Sequence, residues 1–168
     1  MTIIGLDRTG LVEAVARLVA DHGGNWLESR MCRLGGEFAG ILRVELPPEK
    51  KQPLLAALQR ISGLTVVAQP DTTTPGVTTG RSVKLEVVGH DRPGIVREIT
   101  SALARANVNV EEFFSEIVSA PMSGETLFKA VARLQLPEGC DLTALKTAVE
   151  KIAADLLVDV SFAELRDH

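Results

Sequence analysis

Two short turns carry the residues in this sequence whose types suit the binding of a small charged molecule. Residues 5–12 read G-L-D-R-T-G-L-V, and residues 89–96 read G-H-D-R-P-G-I-V. In each, an aspartate stands three residues before a glycine, at the start of an apolar pattern with helical spacing. The first N–H groups of a helix are unpaired and partly positive, so they suit a carboxylate, while the aspartate suits an ammonium group. A free amino acid has both groups, so the turns suggest amino-acid binding.

The same turns also have a purely structural interpretation. Asp7 and Asp91 are predicted to cap the following helices by accepting hydrogen bonds from free backbone N–H groups, which is worth about 1 kcal/mol. Pro93 is expected to fix φ in the first helical turn. Gly10 and Gly94 are expected to allow close packing or unusual backbone angles. The spacing is not that of a dinucleotide fingerprint, and no P-loop lysine follows either turn.

The predicted ligand-binding set extends beyond the two aspartates. Asn25 and Asn109 begin the second strand of each repeat and are expected to lie near the turn. His90 lies inside the second turn, where a solvent-facing loop histidine is the alternative. The complete set is Asp7, Gly10, Leu11, Asn25, His90, Asp91, Gly94, Ile95 and Asn109. We predict no catalytic residue, no metal site and no cofactor.

The turns belong to an internal repeat. After each turn the apolar positions stay in register through a helix, and Asn25 aligns with Asn109. A second block then realigns, with residues 38–47 matching residues 128–137. The later repeat is longer at residues 119–124, whose Pro, Gly and Ser indicate a longer hairpin tip. The Thr-, Pro- and Gly-rich segment between the repeats predicts domains at residues 1–69 and 81–168, joined by a linker at residues 70–80.

Each repeat has the pattern βαββαβ. In the second, Val83, Leu85 and Val87 alternate with polar residues as in a strand, and residues 95–103 have helical spacing. Residues 108–118 and 127–136 predict a hairpin, residues 142–152 a helix capped by Asp141, and residues 156–162 a last strand. In the first, residues 54–61 and 64–68 predict the second helix and last strand. The order predicts α+β ferredoxin-like domains, each an antiparallel four-stranded sheet with two helices on one face.

The two repeats differ at their starts. About seven residues precede Gly89 in the second repeat's first strand, whereas only four precede Gly5. Either the natural start lies upstream or this strand is short, and we expect a weaker sheet edge there. A unit of about 75 residues is marginally stable alone, and its free sheet edges invite pairing. A homo-oligomer is therefore expected.

Composition excludes several classes of protein. The net charge is −4 and the 18 Lys and Arg residues are scattered, which disfavours direct nucleic-acid binding. An RNA-binding sheet of the same element order would also need more aromatic residues than five Phe and one Trp. An acylphosphatase-like enzyme is the alternative, but the sequence lacks the phosphate-cradling loop that such an enzyme needs. No apolar run is long enough to span a membrane, and no secretory signal precedes the first repeat. We predict a cytoplasmic protein that is not an enzyme.

The G-x-D-R-P-G-I-V turn and the Asn-Val-Asn-Val step at residues 107–110 resemble the ACT domain, a βαββαβ module that binds amino acids. The resemblance covers nearly the whole chain twice. The paired arrangement, with residues 25–39 and 119–128, is most similar to the glycine cleavage system transcriptional repressor family. One departure is Thr9, where proline is usual.

The resemblance implies a cytoplasmic regulator without its own DNA-binding module. It would repress transcription through a DNA-bound partner protein, with glycine or a related amino acid as the signal. The alternative is a free-standing regulatory subunit that modulates an enzyme of amino-acid metabolism. In ACT domains the effector commonly lies at an interface between modules, at the first strand–helix turn and the start of the second strand. Thr9 and the short first strand favour the second repeat as the sensor.

Overall fold

The structure is a computed structural model that describes residues 1–71, 80–119 and 125–165. The chain divides into two compact units, Met1–Thr74 and Pro75–His168. Each unit has its own hydrophobic core and its own sheet. Most of the predicted linker and the predicted longer hairpin tip lie outside the described residues. Within the described part of the chain, no helix is long and apolar enough to cross a membrane.

The first unit has the element order βαββαβ. Its four antiparallel strands lie in the order β2-β3-β1-β4. A single turn of 3₁₀ helix at Pro48–Lys50 leads into the second helix. The elements are β1 (Thr2–Leu6), α1 (Leu11–Asp21), β2 (Asn25–Leu34), β3 (Glu37–Glu45), α2 (Lys51–Leu58) and β4 (Leu64–Val67).

The second unit repeats this topology with longer strands. Its strands lie in the order β6-β7-β5-β8 and are again antiparallel. The elements are β5 (Gly80–His90), α3 (Ile95–Arg105), β6 (Asn109–Ser119), β7 (Thr126–Pro137), α4 (Leu142–Leu156) and β8 (Val158–Glu164). The two four-stranded sheets with their helices confirm the predicted α+β ferredoxin-like class.

Alternation along the strands explains why each sheet has one covered face. In β5 the buried residues Val83, Leu85 and Val87 alternate with half-buried polar neighbours. They pack in one core with the buried stripe of α3 and with β7 and α4. Two amphipathic helices therefore cover one face of the sheet, and the other face stays open.

The first glycine of each turn is required by the close approach of a neighbouring strand. A Cβ added to Gly89 would lie 2.6 Å from the Cα of Val158, and one added to Gly5 would lie 2.2 Å from the carbonyl oxygen of Gly63. These distances are too short for any side chain. The motif glycines at these positions therefore let β8 and the segment before β4 pack against the central strand.

Three local predictions need correction. Gly80 belongs to β5 rather than to the linker. Strand β1 is short, but it lies between β3 and β4, so its start is not a sheet edge. In the first unit, α2 ends at Leu58, and Ile61 packs against the core from beyond the helix.

Candidate functional site

Each turn delivers the chain into a helix through a glycine. Gly10 is the N-cap of α1 with φ of 83°, and Gly94 is the N-cap of α3 with φ of 99°. Both angles lie in the left-handed region that favours glycine. Among the described residues, no side chain accepts a hydrogen bond from the first turn of either helix. The prediction that Asp7 and Asp91 cap these helices is therefore wrong, and the helix N-termini stay open to solvent or ligand.

The two aspartates have different surroundings. The main-chain N–H of Asp7 donates to the carbonyl oxygen of Gly36 at 2.9 Å, and its carboxylate lies 2.5 Å from Nε of Arg33. The main-chain N–H of Asp91 donates in the same way to Thr126 at 3.2 Å. The Asp91 side chain is exposed, and no described residue forms a hydrogen bond or ion pair with its carboxylate. The second unit thus presents an uncommitted carboxylate beside an open helix N-terminus.

The arginine of the second turn supports the turn itself. Arg92 Nη2 donates to the carbonyl oxygen of Asp155 at 3.0 Å, close to the C-terminal end of α4. A positively charged guanidinium at this position interacts favourably with the negative end of the helix dipole. Its Nε is buried and has no partner among the described residues. Pro93 precedes the cap instead of occupying the first helical turn, which corrects its predicted position.

The remaining predicted turn residues separate into main-chain and side-chain candidates. Leu11 and Ile95 are buried in the cores, so only their backbone groups face the turn. His90 ends β5 and is exposed, with Nε2 4.0 Å from Oε2 of Glu125. Protonation of His90 would make this an ion pair. The imidazole and Asp91 are adjacent in sequence and both exposed.

The two asparagines are not beside the turns of their own units. Asn109 pairs with Gln135, which also pairs with Ser82 near the start of β5. The turn follows His90, at the other end of β5. Eight residues of strand separate Ser82 from His90, which is roughly 27 Å. Asn25 pairs with Glu45 at the corresponding far end of the first sheet. The prediction that these amides lie near the turn of the same unit is wrong.

Strand β6 is an edge strand with exposed aromatic residues. Phe113 and Phe114 are 45% and 59% exposed, so both are interface candidates. An apolar hollow between α3 and β6 is lined by Phe113, by Val96 and Thr100 of α3, and by core residues. The hollow begins at the first turn of α3, immediately after the Gly94 cap. No local sequence pattern predicts that Arg33 contacts Asp7 or that Arg92 contacts Asp155, because both contacts bridge segments far apart in the chain.

Among the described residues, no group of three or more His, Cys, Asp or Glu side chains is arranged to hold a metal ion. The chemistry of the second turn is therefore that of an open helix N-terminus, a carboxylate and an imidazole next to an apolar hollow. Groups of these kinds are chemically suited to a small zwitterion rather than to the activation of a nucleophile.

Comparison with known proteins places the chain in a family. Models of the ACT domain match residues 1–68 and residues 83–128, together more than half of the chain. With the doubled βαββαβ fold, these matches show that the chain belongs to the ACT-domain family, as the turn motif predicted. It is an ACT-domain regulatory protein with two such domains in tandem.

The chain is similar over most of its length to a transcriptional repressor and to two solved structures. The chain is 24% identical to the glycine cleavage system transcriptional repressor of Escherichia coli strain K12, over 93% of this chain and 84% of the relative. A protein of unknown function from Galdieria sulphuraria has a solved structure with TM-score 0.78 and 28% identity, covering 98% of this chain and 96% of that one. A solved structure described as a glycine cleavage system transcriptional repressor has TM-score 0.68 and 20% identity, covering 99% and 95%, and shows the shared fold.

Proposed function

We propose that this chain is an amino-acid-responsive regulator whose sensor is the second unit. The observation that carries the proposal is the pairing of an uncommitted Asp91 carboxylate with the open N-terminus of α3. The carboxylate attracts the ammonium group of an amino acid, and the helix N–H groups attract its carboxylate. The hollow beside Val96 and Phe113 leaves room for little more than a small side chain. Glycine or a related small amino acid therefore fits best.

Pairing of two chains supplies the asparagine that the turn lacks. Strand β6 is an edge strand, and two copies of such a strand pair most readily in an antiparallel way about a two-fold axis. Its midpoint is Phe114, because the strand runs from residue 109 to residue 119. Antiparallel pairing then brings Asn109 of one copy of the chain to the end of the partner strand nearest the Asp91 turn. The proposed site takes its turn from one copy and its amide from the other.

The regulatory output passes through another protein. The relatives named glycine cleavage system transcriptional repressor support a role in controlling glycine cleavage or one-carbon metabolism. The net charge of −4 argues against direct contact with DNA phosphates, so a DNA-bound partner protein is the natural target. We place this non-enzymatic regulator in the cytoplasm. Coupling of about 1–3 kcal/mol between ligand and partner binding is enough for such control.

Thermal unfolding in the presence of each amino acid tests ligand binding. A ligand at about a hundredfold its dissociation constant adds roughly 2.7 kcal/mol to the free energy of unfolding. Glycine or another small amino acid is expected to give this stabilisation, and large or acidic amino acids are not. If none of the twenty stabilises the protein, the proposal fails.

Complementation tests whether the site spans two copies. Asp91→Asn and Asn109→Ala each weaken both sites of a homodimer, so each variant alone should bind the ligand at least about tenfold more weakly than the native chain. When the two variants are mixed and re-equilibrated, heterodimers form in which one site keeps both native residues. About a quarter of the sites should then recover if dimers form at random. The shared site is contradicted if every site in the mixture stays weakened, or if Asn109→Ala alone binds with the native affinity.

A further inference from the structure

The open face of the first unit's sheet is unlike that of the second. This face, on the side away from the helices, is defined by the outward residues Thr2, Ile4, Leu6, Arg30, Cys32, Leu34, Glu37, Ala39, Ile41, Arg43, Thr65 and Val67. Ile4, Ile41 and Val67 are 47%, 63% and 53% exposed. We call it the open face of the first unit.

The register shows how sharply the two repeats differ at equivalent places. A row across the first sheet joins residues in mutual register, namely Cys32, Ala39, Ile4 and Thr65. The equivalent row across the second sheet is Glu116, Lys129, Val88 and Asp159. The first row is uncharged, whereas three residues of the second are charged. Since the fold is the same, the fold itself does not require the apolar row.

The charged residues of the open face lie toward its rim, with Arg30 on the edge strand β2 and with Glu37 and Arg43 near the two ends of β3. Arg43 at one end bonds Glu28 at 2.7 Å and Asp71 at 2.8 Å, and it lies beyond the apolar rows. The second unit's face instead carries its charges centrally, including the ion pair between Lys84 and Glu86. Burying ion pairs at the centre of an interface carries a free-energy penalty, because the charges lose their water. Burying an apolar centre while a charged rim stays hydrated is favourable. The first face therefore has the composition of an interface and the second that of a solvated surface.

We propose that the open face of the first unit binds the same face of a second copy of the chain. A twisted sheet face is best complemented by another sheet face, with alternate side chains interdigitating. Two-fold symmetry makes this self-complementary, because each copy supplies the same apolar rows and a rim with both signs of charge.

The size of the face agrees with a reversible dimer. Its four strands have five, ten, nine and four residues, seven on average. At strand spacings of about 4.8 Å and a rise of about 3.3 Å per residue, the flat area is about 440 Å² per copy. Two copies bury roughly 900 Å² of flat sheet surface, and the projecting side chains add to this area. The total is close to the roughly 1,000 Å² of a specific interface. The surface belongs to the first unit and shares no residue with the Asp91 turn.

Cys32 is a built-in reporter of this contact. It is an exposed free cysteine in the central row, while Cys140 is half-buried and lies in the second unit. Peptide mass spectrometry follows alkylation of both thiols separately in the full chain. Self-association at high concentration should slow the alkylation of Cys32 and leave that of Cys140 unchanged.

Two charge variants provide the matched comparison. Ile41→Glu puts a carboxylate on the open face opposite Arg30, and Val131→Lys puts an ammonium at the equivalent place in the second unit opposite Glu86. Each new charge faces one of opposite sign across the strands, which favours folding of the monomer. Circular dichroism and thermal unfolding check that both variants fold.

At protein concentrations of about 1 mM, we expect Cys32 of the native chain to react at least about tenfold more slowly than Cys32 of Ile41→Glu. Val131→Lys should behave as the native chain, and sedimentation should show Ile41→Glu to be half the native mass or less. Ile41→Glu should keep its stabilisation by amino acid, so failure here is distinct from failure of the sensor proposal. Equal rates in the native chain and Ile41→Glu overturn the proposal, and so does protection of Cys32 in a form that sediments as a single chain.

Discussion

Arg33 holds Asp7 in an ion pair, with Nε of the guanidinium 2.5 Å from Oδ2 of the carboxylate. Arg33 is next to the last residue of β2, and Asp7 directly follows β1. The pair links the hairpin of the first unit to the turn that begins α1. Arg33 thereby engages the Asp7 carboxylate, whereas the equivalent Asp91 carboxylate of the second unit remains available to a ligand. The two turns share a motif, yet among the residues that the structure describes only the Asp91 carboxylate has no partner.

This difference predicts that the same substitution weakens ligand binding in the second repeat and leaves it unchanged in the first. Asp91→Asn removes the charge that attracts an ammonium group, and a charge-assisted hydrogen bond of this kind is worth about 1.5–3 kcal/mol. An affinity loss of about 10- to 100-fold should reduce the ligand stabilisation from about 2.7 to about 0.4–1.4 kcal/mol at the same ligand concentration. Thermal unfolding with and without the amino acid measures this.

Asp7→Asn is the matched control. It should leave the ligand stabilisation unchanged, because Asp7 is already paired with Arg33. A small loss in the free energy of unfolding is expected from the broken ion pair, which is partly exposed. The assignment of the sensor to the second unit is contradicted if Asp7→Asn loses the ligand effect and Asp91→Asn keeps it.

A second prediction concerns the glycine that starts α3. Gly94→Ala puts a Cβ into a left-handed conformation, which costs roughly 1–2 kcal/mol. Apart from its chain neighbours, no atom of the described residues lies within 4 Å of that Cβ, so the cost is conformational and not a clash. The melting temperature of the second unit should fall by about 4–8 °C for each kcal/mol. Gly94→Asn should cost less, because asparagine tolerates this region better. Equal melting temperatures for Gly94→Ala and the native protein would show that the strain is absent.

The fold was predictable from the sequence because its signals are local. The alternation of Val83, Leu85 and Val87 and the helical spacing after each turn depend only on neighbours along the chain. The cap at Asp141 is another local signal, and its carboxylate accepts from the main-chain N–H of Thr143 at 2.9 Å and of Ala144 at 3.1 Å. Each of these features can be predicted from the residues of a single helix or strand.

The site was less predictable because it depends on register and on the backbone angle at one glycine. Asp91 precedes a helix, as a capping residue would, but Gly94 in the left-handed region is the N-cap, and no side chain caps the helix. The position of Asn109 depends on which end of β6 lies beside the turn, and only strand pairing decides this. A motif gives the residues of such a site but not their distances.

A third prediction tests the role of Arg92 in holding the turn. Arg92→Met removes the hydrogen bond to the carbonyl oxygen of Asp155 and the favourable charge at the end of α4. We expect a loss of about 1 kcal/mol in the free energy of unfolding. Arg8, its counterpart, is exposed and forms no side-chain hydrogen bond or ion pair among the described residues. Arg8→Met should therefore stay within about 0.5 kcal/mol of the native protein in urea unfolding. Similar losses for both variants would exclude a specific role for Arg92.

A fourth prediction concerns the charged face of the second unit. The hydrogen bond from Lys84, followed by its charge, lowers the pKa of Glu86 below its ordinary value. A carboxyl whose pKa is lowered by folding stabilises the native state at pH values above the unfolded pKa. That contribution disappears as the pH falls through the lowered pKa of the folded state.

Lys84→Met should therefore raise the pKa of Glu86 toward its ordinary value, because both effects of Lys84 are removed. The carboxyl resonance of Glu86 in an NMR titration reports this pKa directly. The causes that remain oppose each other, since burial raises the pKa of Glu86 and the charge of Lys129 lowers it by less, so the value in Lys84→Met should no longer lie below the ordinary one. Lys151→Met, a change on α4 of the same unit, is the control and should leave the titration unchanged. A titration of Glu86 that is identical in Lys84→Met and the native protein would show that the ion pair does not form in solution. The face would then have fewer ion pairs than the structure indicates.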